Sequence, residues 1–269
     1  MKSSDLFALT RAENRAALVG YLPVGFPTVP GSLEAMKALT TPGDTPGVDM
    51  VEIGMPYSDP MMDGAVIQHA TTKALQRGVR TRDVFTAVET VAAQGCCATV
   101  MIYWNLIEHY GVEAFARDLA NSGGAGVVTP DLIPDEGAEW IAATDQYDLD
   151  RIFLVAPSST DERLRYTTQN CRGWVYATSV MGVTGARQQT SSAAPTLVAR
   201  IRELAPEIPV GVGLGVSNGE QAAEVASYAD AVIVGSALLS TLPDVEQFQS
   251  NSLNDVRRLV GELASGVRQ

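Results

Sequence analysis

Eight short apolar runs punctuate the chain at nearly even intervals, at residues 17–22, 49–54, 98–103, 126–129, 151–155, 173–178, 209–213 and 231–234. Several lack the alternation of apolar and polar residues and are apolar on both sides, the pattern of parallel strands covered by helices. Their mean spacing of about 31 residues accommodates a strand, a helix of three turns and two short loops. Helical faces fill the gaps: Val112, Phe115, Ala116 and Leu119 fall at spacings of three and four, and Leu197, Ile201 and Leu204 repeat the pattern. Eight such units closing on themselves predict an α/β fold, a (β/α)8 TIM barrel; an open doubly wound sheet is the competing arrangement. No linker or shift of composition divides residues 1–269, which read as a single domain.

A chain of 269 residues can bury a full core without disulfides or structural metal. Its 19 Lys and Arg against 31 Asp and Glu leave a net charge of −12, which repels phosphate backbones and anionic lipid. The balance therefore predicts no nucleic-acid and no membrane partner, and requires any phosphate to be held by local groups. Cys96, Cys97 and Cys171 form no C-x-x-C pattern and read as small buried hydrophobes. His69 and His109 lack partners at ligand spacing, so each is expected to face solvent or cap a helix, and no metal is expected. The polar first 14 residues predict neither a signal peptide nor a membrane span, hence a cytoplasmic chain. No Walker sequence is present.

Two acids stand out. Glu52 interrupts an otherwise apolar run, so either it points into the barrel or the run is not a strand. A carboxyl buried there would have a raised pKa, as a group that gains and loses a proton requires. The structural alternative is pairing with a buried base, of which the predicted strands offer only Arg151, at an edge. Asp63 lies between Pro60 and Gly64, where an acid of the turn itself is the alternative. Late in the chain, residues 210–218 run from a strand into Gly211, Gly213 and Gly215, followed by Ser217 and Asn218 as potential caps. Gly235 and Ser236 lead directly from a strand into a helix. Each glycine pair alone could be a tight turn, but two at consecutive strand ends lie where such barrels often bind phosphate. The G-x-G-x-G spacing is not the dinucleotide fingerprint, which excludes NAD. The polar segment 181–193 follows a strand and is expected to act as a mobile lid, whereas 40–47 reads as a surface loop. Tyr103-Trp104-Asn105 and residues 130–134 follow strands three and four, where they could line a pocket or pack the rim.

The run Glu52-Ile53-Gly54-Met55-Pro56-Tyr57-Ser58-Asp59-Pro60-Met61-Met62-Asp63-Gly64, with Pro130-Asp131-Leu132-Ile133-Pro134, Gly182-Val183-Thr184-Gly185 and Gly235-Ser236, resembles the α-subunit family of tryptophan synthase. The resemblance extends from about Gly20 to Ser236. It implies a (β/α)8 barrel that cleaves indole-3-glycerol phosphate to indole and glyceraldehyde 3-phosphate by a retro-aldol reaction, with no cofactor in this chain. By the family pattern Glu52 is the acid and base that protonates indole C3 and then assists removal of a glycerol hydroxyl proton. Asp63 accepts the indole N–H. Tyr176 matches a substrate contact near Glu52, and Thr184 a threonine that closes over the site and touches Asp63. Gly185, Gly215, Gly235 and Ser236 match the phosphate donors. Tyr21, Met101, Tyr103, Val128, Leu154 and Leu214 fall where the family lines its indole pocket. The resemblance also implies a partner, a β subunit carrying pyridoxal phosphate, in an αββα assembly with an indole tunnel faced by residues 58–64 and 105–109. Departures from the pattern are Met61-Met62 in place of a smaller pair, Ala65 where proline is common, Val180-Met181 before Gly182, and a longer loop at 40–48. Two other readings remain open: a lyase that works alone and releases indole, and a regulatory subunit without chemistry.

Overall fold

The computed structural model describes residues 1–41, 43–60, 62–178, 193–213, 215–245, 247–249 and 251–269. Its strands are β1 (Ala17–Pro23), β2 (Met50–Gly54), β3 (Cys97–Met101), β4 (Gly126–Val128), β5 (Asp150–Ile152), β6 (Leu154–Val155), β7 (Val175–Thr178), β8 (Val210–Gly213) and β9 (Ala231–Val234). They pair in parallel in the order β5-β4-β3-β2-β1-β9-β8-β7-β6. Only Phe153 separates β5 from β6, so the two edges of the ladder belong to one stretch of chain. β5 pairs with β4, and β6 with β7. The fifth predicted run therefore serves both neighbours and closes the predicted barrel, which excludes the open sheet. The third strand begins one residue earlier than predicted and ends at Met101, because Tyr103 is already the N-cap of the helix Trp104–Tyr110. The sixth run yields a strand only from Val175, after Gly173 turns the chain at φ 89°.

Alternation along the strands sorts the core into two shells. On β2, Val51 and Ile53 face the surrounding helices, while Met50 packs inside the barrel with Val19, Cys97, Val128 and Ile233. The predicted helix face is buried at Val112, Phe115, Ala116 and Leu119; Leu197 and Ile201 are buried and Leu204 half-buried. Each fully buried aliphatic or aromatic side chain contributes roughly 1.5–3 kcal/mol.

The end of the barrel at the strand N-termini is plugged. The helix Ser3–Ala12 inserts Leu6 and Phe7, and Phe7 lies 6.4 Å from Trp174, centroid to centroid. Ser3 Oγ donates to Asp150. Arg15 donates two bonds to Asp49, at 2.8 and 2.9 Å, and the Leu18 N–H adds a third at 2.8 Å. Cys96 and Cys97 are buried as expected, whereas Cys171 is only half-buried; burial pushes the Cys96 thiol up to about 12. His109 is exposed, and His69 lies 3.7 Å from Asp244. Among the described residues no group of three or more His, Cys, Asp or Glu could hold a metal ion, and no helix is long and apolar enough to cross a membrane.

Candidate active site

Glu52 belongs to the inner face of β2, in register between Tyr21 of β1 and Thr99 of β3. It is 1% exposed, and its Oε2 has no hydrogen-bond partner among the described residues. Burial alone pushes its pKa from 4.5 up to about 8. Among the described residues no base pairs with it, which leaves the structural alternative without a partner there. At neutral pH Glu52 is a protonated acid, and it stands at the centre of β2, two residues before the strand end at which barrels of this kind place chemistry.

Asp63, in the loop before the helix Ala65–Gln76, is half-buried, and burial lifts its pKa from 3.8 to about 6. Gln68 donates to its backbone carbonyl at 2.8 Å and holds the loop against the helix. Two carboxyls thus differ in state at pH 7: Glu52 is mostly protonated and Asp63 mostly ionised. Environments that separate the pKa values of two acids in this way give one of them the donor role and the other the anion role.

Tyr21 and Tyr176 are coupled to both acids. Burial, then the charges of Asp63 and Glu52, raise the Tyr21 hydroxyl well above its ordinary pKa; burial, then Glu52 and Asp63, does the same for Tyr176. Both rings lie against glycines: a Cβ at Gly54 would collide with the Tyr21 ring and one at Gly213 with the Tyr176 hydroxyl. A glycine that reads in the sequence as phosphate loop therefore has a second task, seating an aromatic ring. Tyr103 is buried and stacks on Tyr57, with centroids 4.2 Å apart at 15°. Tyr57 went unrecognised in the sequence because an aromatic in a polar loop has no periodicity to place it. Met101 and Val128 are register partners, and Met101, Leu154 and Tyr176 pack on the inner shell that contains Val128. Of the residues expected to line a pocket, Tyr21 and Tyr176 are coupled to Glu52, Met101, Val128 and Leu154 belong to the inner shell, and Tyr103 follows the end of β3. Asp131 packs the rim: its carboxylate accepts from the Trp104 N–H at 2.9 Å and starts that helix.

Beyond β1 from β2, β9 and β8 are neighbours, so the turns that follow them start side by side. Gly215 takes φ 72°, and Asn218 caps the helix Gly219–Ala226 by accepting from Gln221 N–H at 2.9 Å. Ser217 donates both N–H and hydroxyl to the Gln221 side chain, at 2.8 and 3.0 Å. Both candidate caps are thus occupied within the turn. Gly235 is the N-cap position of the helix Ser236–Ser240, whose first backbone N–H groups have no intrahelical acceptor. Thr184, Gly185 and Leu214 lie outside the described residues, as do residues 181–192 of the segment 181–193 expected to act as a lid; Ala193 instead begins the helix Ala193–Leu204.

Comparison with known proteins gives a consistent result. A model of the family described as tryptophan synthase alpha chain matches residues 7–268. The tryptophan synthase alpha chain of Mycobacterium marinum is 59% identical over 264 residues, 98% of this chain and 94% of that one. The corresponding chain of Nocardia farcinica is 56% identical over 265 residues, 98% of this chain and 95% of that one. Among solved structures, tryptophan synthase of Mycobacterium tuberculosis superposes with a TM-score of 0.91 at 55% identity, covering 99% of this chain and 98% of that chain. The alpha subunit from Legionella pneumophila gives a TM-score of 0.84 at 28% identity, with 99% and 98% covered. A match of this length and closeness, on a barrel whose mouth holds the two acids, means that the chain belongs to the tryptophan synthase alpha chain family.

Proposed function

We propose that this chain cleaves indole-3-glycerol phosphate to indole and D-glyceraldehyde 3-phosphate as the lyase subunit of a tryptophan synthase, in the biosynthesis of L-tryptophan. The observation that carries the reading is the pair of acids at the barrel mouth: Glu52 buried without a partner and pushed up to about 8, Asp63 at about 6. Glu52 gives its proton to indole C3, which turns the ring into a leaving group. Positive charge then develops at the ring nitrogen, and Asp63 accepts the N–H and stabilises it. The Glu52 carboxylate takes the proton of the adjacent glycerol hydroxyl as the carbon–carbon bond breaks, the electron pair returns to the ring and the carbonyl forms. One proton is given and one recovered, so Glu52 ends as it began.

Tyr21, Met101, Tyr103, Val128, Leu154 and Leu214 enclose the indole ring, Tyr176 contacts substrate beside Glu52, and Thr184 closes over Asp63. Gly215, Gly235 and Ser236, with Gly185, bind the phosphate. The side-by-side start of the turns after β8 and β9 supports this placement, since backbone N–H groups can hold an anion that a chain of net charge −12 would otherwise repel. The chain acts as one domain, residues 1–269, in the cytoplasm, and needs no cofactor of its own. Its partner is a β subunit carrying pyridoxal phosphate, in an αββα heterotetramer through which indole is channelled. Residues 58–64 and 105–109 face that partner, and the exposure of Ser58, Asp59, Asn105, Glu108 and His109 is compatible with a docking role.

The test is release of glyceraldehyde 3-phosphate from indole-3-glycerol phosphate by the purified chain, with and without the β subunit from the same source. Slow turnover that rises sharply with the β subunit is expected. Fast turnover by the chain alone would identify a free indole producer, and none in either condition a regulatory subunit.

A further inference from the structure

Thr99 stands in the middle of β3 on the inner face of the barrel, 0% exposed, and its Oγ1 has no hydrogen-bond partner among the described residues. A buried hydroxyl normally bonds to backbone, side chain or ordered water, and one that does not calls for an explanation. Register supplies it. Across one rung of the ladder lies Glu52, whose Oε2 is itself unpartnered; across the other lies Gly126, which has no side chain. Along its own strand the inner neighbours of Thr99 are Cys97 and Met101, neither of which offers a strong acceptor. A donor without an acceptor therefore borders an acceptor without a donor.

We propose that Thr99 is a positioning residue for Glu52: its hydroxyl donates to Oε2 of the carboxylate formed when Glu52 gives its proton to the substrate carbon. The inference rests on the assignment of Glu52 as the proton donor. In the protonated acid Oε2 has little need of a donor. Once the proton has moved to indole C3, the charge left on the carboxylate draws in the Thr99 O–H, which keeps its own proton throughout. The glycerol hydroxyl proton then returns to Glu52 and releases it. A hydrogen bond to an ionised oxygen in a dry site is much stronger than one to a neutral oxygen, so Thr99 favours the charged form and opposes the upward pull of burial on the Glu52 pKa. Among the described residues, the titratable groups coupled to Glu52 are Tyr21 from β1 and Tyr176 from β7, and Asp63 from the following loop acts on the same two tyrosines. Changes at Thr99 leave all three in place.

The test uses the complex with the β subunit and compares the pH profile of kcat for the wild type, Thr99→Val and Thr99→Ser. Valine retains the shape and removes the hydroxyl. Thr99→Val is expected to move the limb that reports Glu52 up by about one pH unit and to lower kcat by up to about tenfold, with KM within about twofold. Thr99→Ser should restore both. In a Glu52→Gln background Thr99→Val should add no further loss. An unshifted profile for Thr99→Val, serine behaving as valine does, or an equal loss in the Glu52→Gln background would each overturn the proposal. If Thr99→Val does not fold, Thr99→Ala against Thr99→Ser carries the same comparison. Full turnover by Glu52→Gln alone would instead overturn the assignment of Glu52, whatever Thr99 does.

Discussion

Asp49 and Glu52 stand three residues apart, one just before β2 and the other at its centre, and both side chains are nearly out of water, 9% and 1% exposed respectively. Their surroundings differ completely. Asp49 accepts two bonds from Arg15 and one from the Leu18 N–H, and Arg268 approaches it at 3.4 Å. Glu52 has no base and an unpartnered oxygen among the described residues. The closed end of the barrel thus saturates its acid with donors, while the centre of β2 leaves its acid unsatisfied and therefore protonated. A saturated carboxylate holds the chain together; an unsatisfied one is available to a substrate.

The largest effect that separates the two is expected from Glu52→Gln. Turnover of indole-3-glycerol phosphate should fall by about 10³-fold, with no loss of thermal stability at neutral pH. The sign of its pH dependence follows from linkage. A folded-state pKa of about 8, against 4.5 ordinarily, means that the stabilisation is full below about 4.5 and is lost as pH rises through 8. Glu52→Gln removes that decline, so the variant should gain on the wild type in alkaline melts by up to ~5 kcal/mol. A variant that melts in parallel with the wild type from pH 5 to 9 would count against the buried, unpaired acid. Asp49→Asn should do the reverse: a loss of about 2 kcal/mol in denaturant unfolding, because Arg15 loses the charge of Asp49 and keeps only Glu13, and an unchanged kcat for the folded fraction.

Smaller changes sharpen the contrast at the mouth. Tyr57→Ala removes the stack on Tyr103 and should lower kcat/KM about fivefold through a loosened loop before Asp63, with Tyr57→Phe restoring it; equal behaviour of the two variants would deny the stack a role. Ser236→Ala should weaken glycerol phosphate binding a few-fold in calorimetry and leave indole binding unchanged, the loss of one hydroxyl donor to an anion that backbone N–H groups still hold. Loss of indole affinity to the same extent would remove Ser236 from the phosphate end.

Much of this contrast was readable from the residues. Eight apolar runs predicted the barrel because parallel strands buried on both sides leave long aliphatic stretches in the sequence. Glu52 was conspicuous for the converse reason, a charge where apolar residues prevail. The interruption at Phe153 was not readable: a strand that changes partners keeps its composition and shows no turn residue. Asp49 gave no sign of its role because its bases come from Arg15 and Arg268, 34 and 219 residues away, and only the pairing of β1 with β2 and the docking of the C-terminal helix bring them together. Thr99 reads as an ordinary β-branched strand former until register places it beside Glu52. The glycines after β8 were read as an anion loop, yet Gly213 also seats Tyr176, since a sequence shows the absent side chain but not what occupies the space.

The central claim is that one neutral acid and one anion act on the same two tyrosines, Tyr21 and Tyr176, at the barrel mouth. The pH profile of kcat/KM for indole-3-glycerol phosphate, measured on the complex with the β subunit, tests it most directly. Activity should rise with pH near 6 as Asp63 ionises and fall near 8 as Glu52 loses its proton. A profile flat from pH 5 to 9, or one still rising through pH 8, would contradict the account.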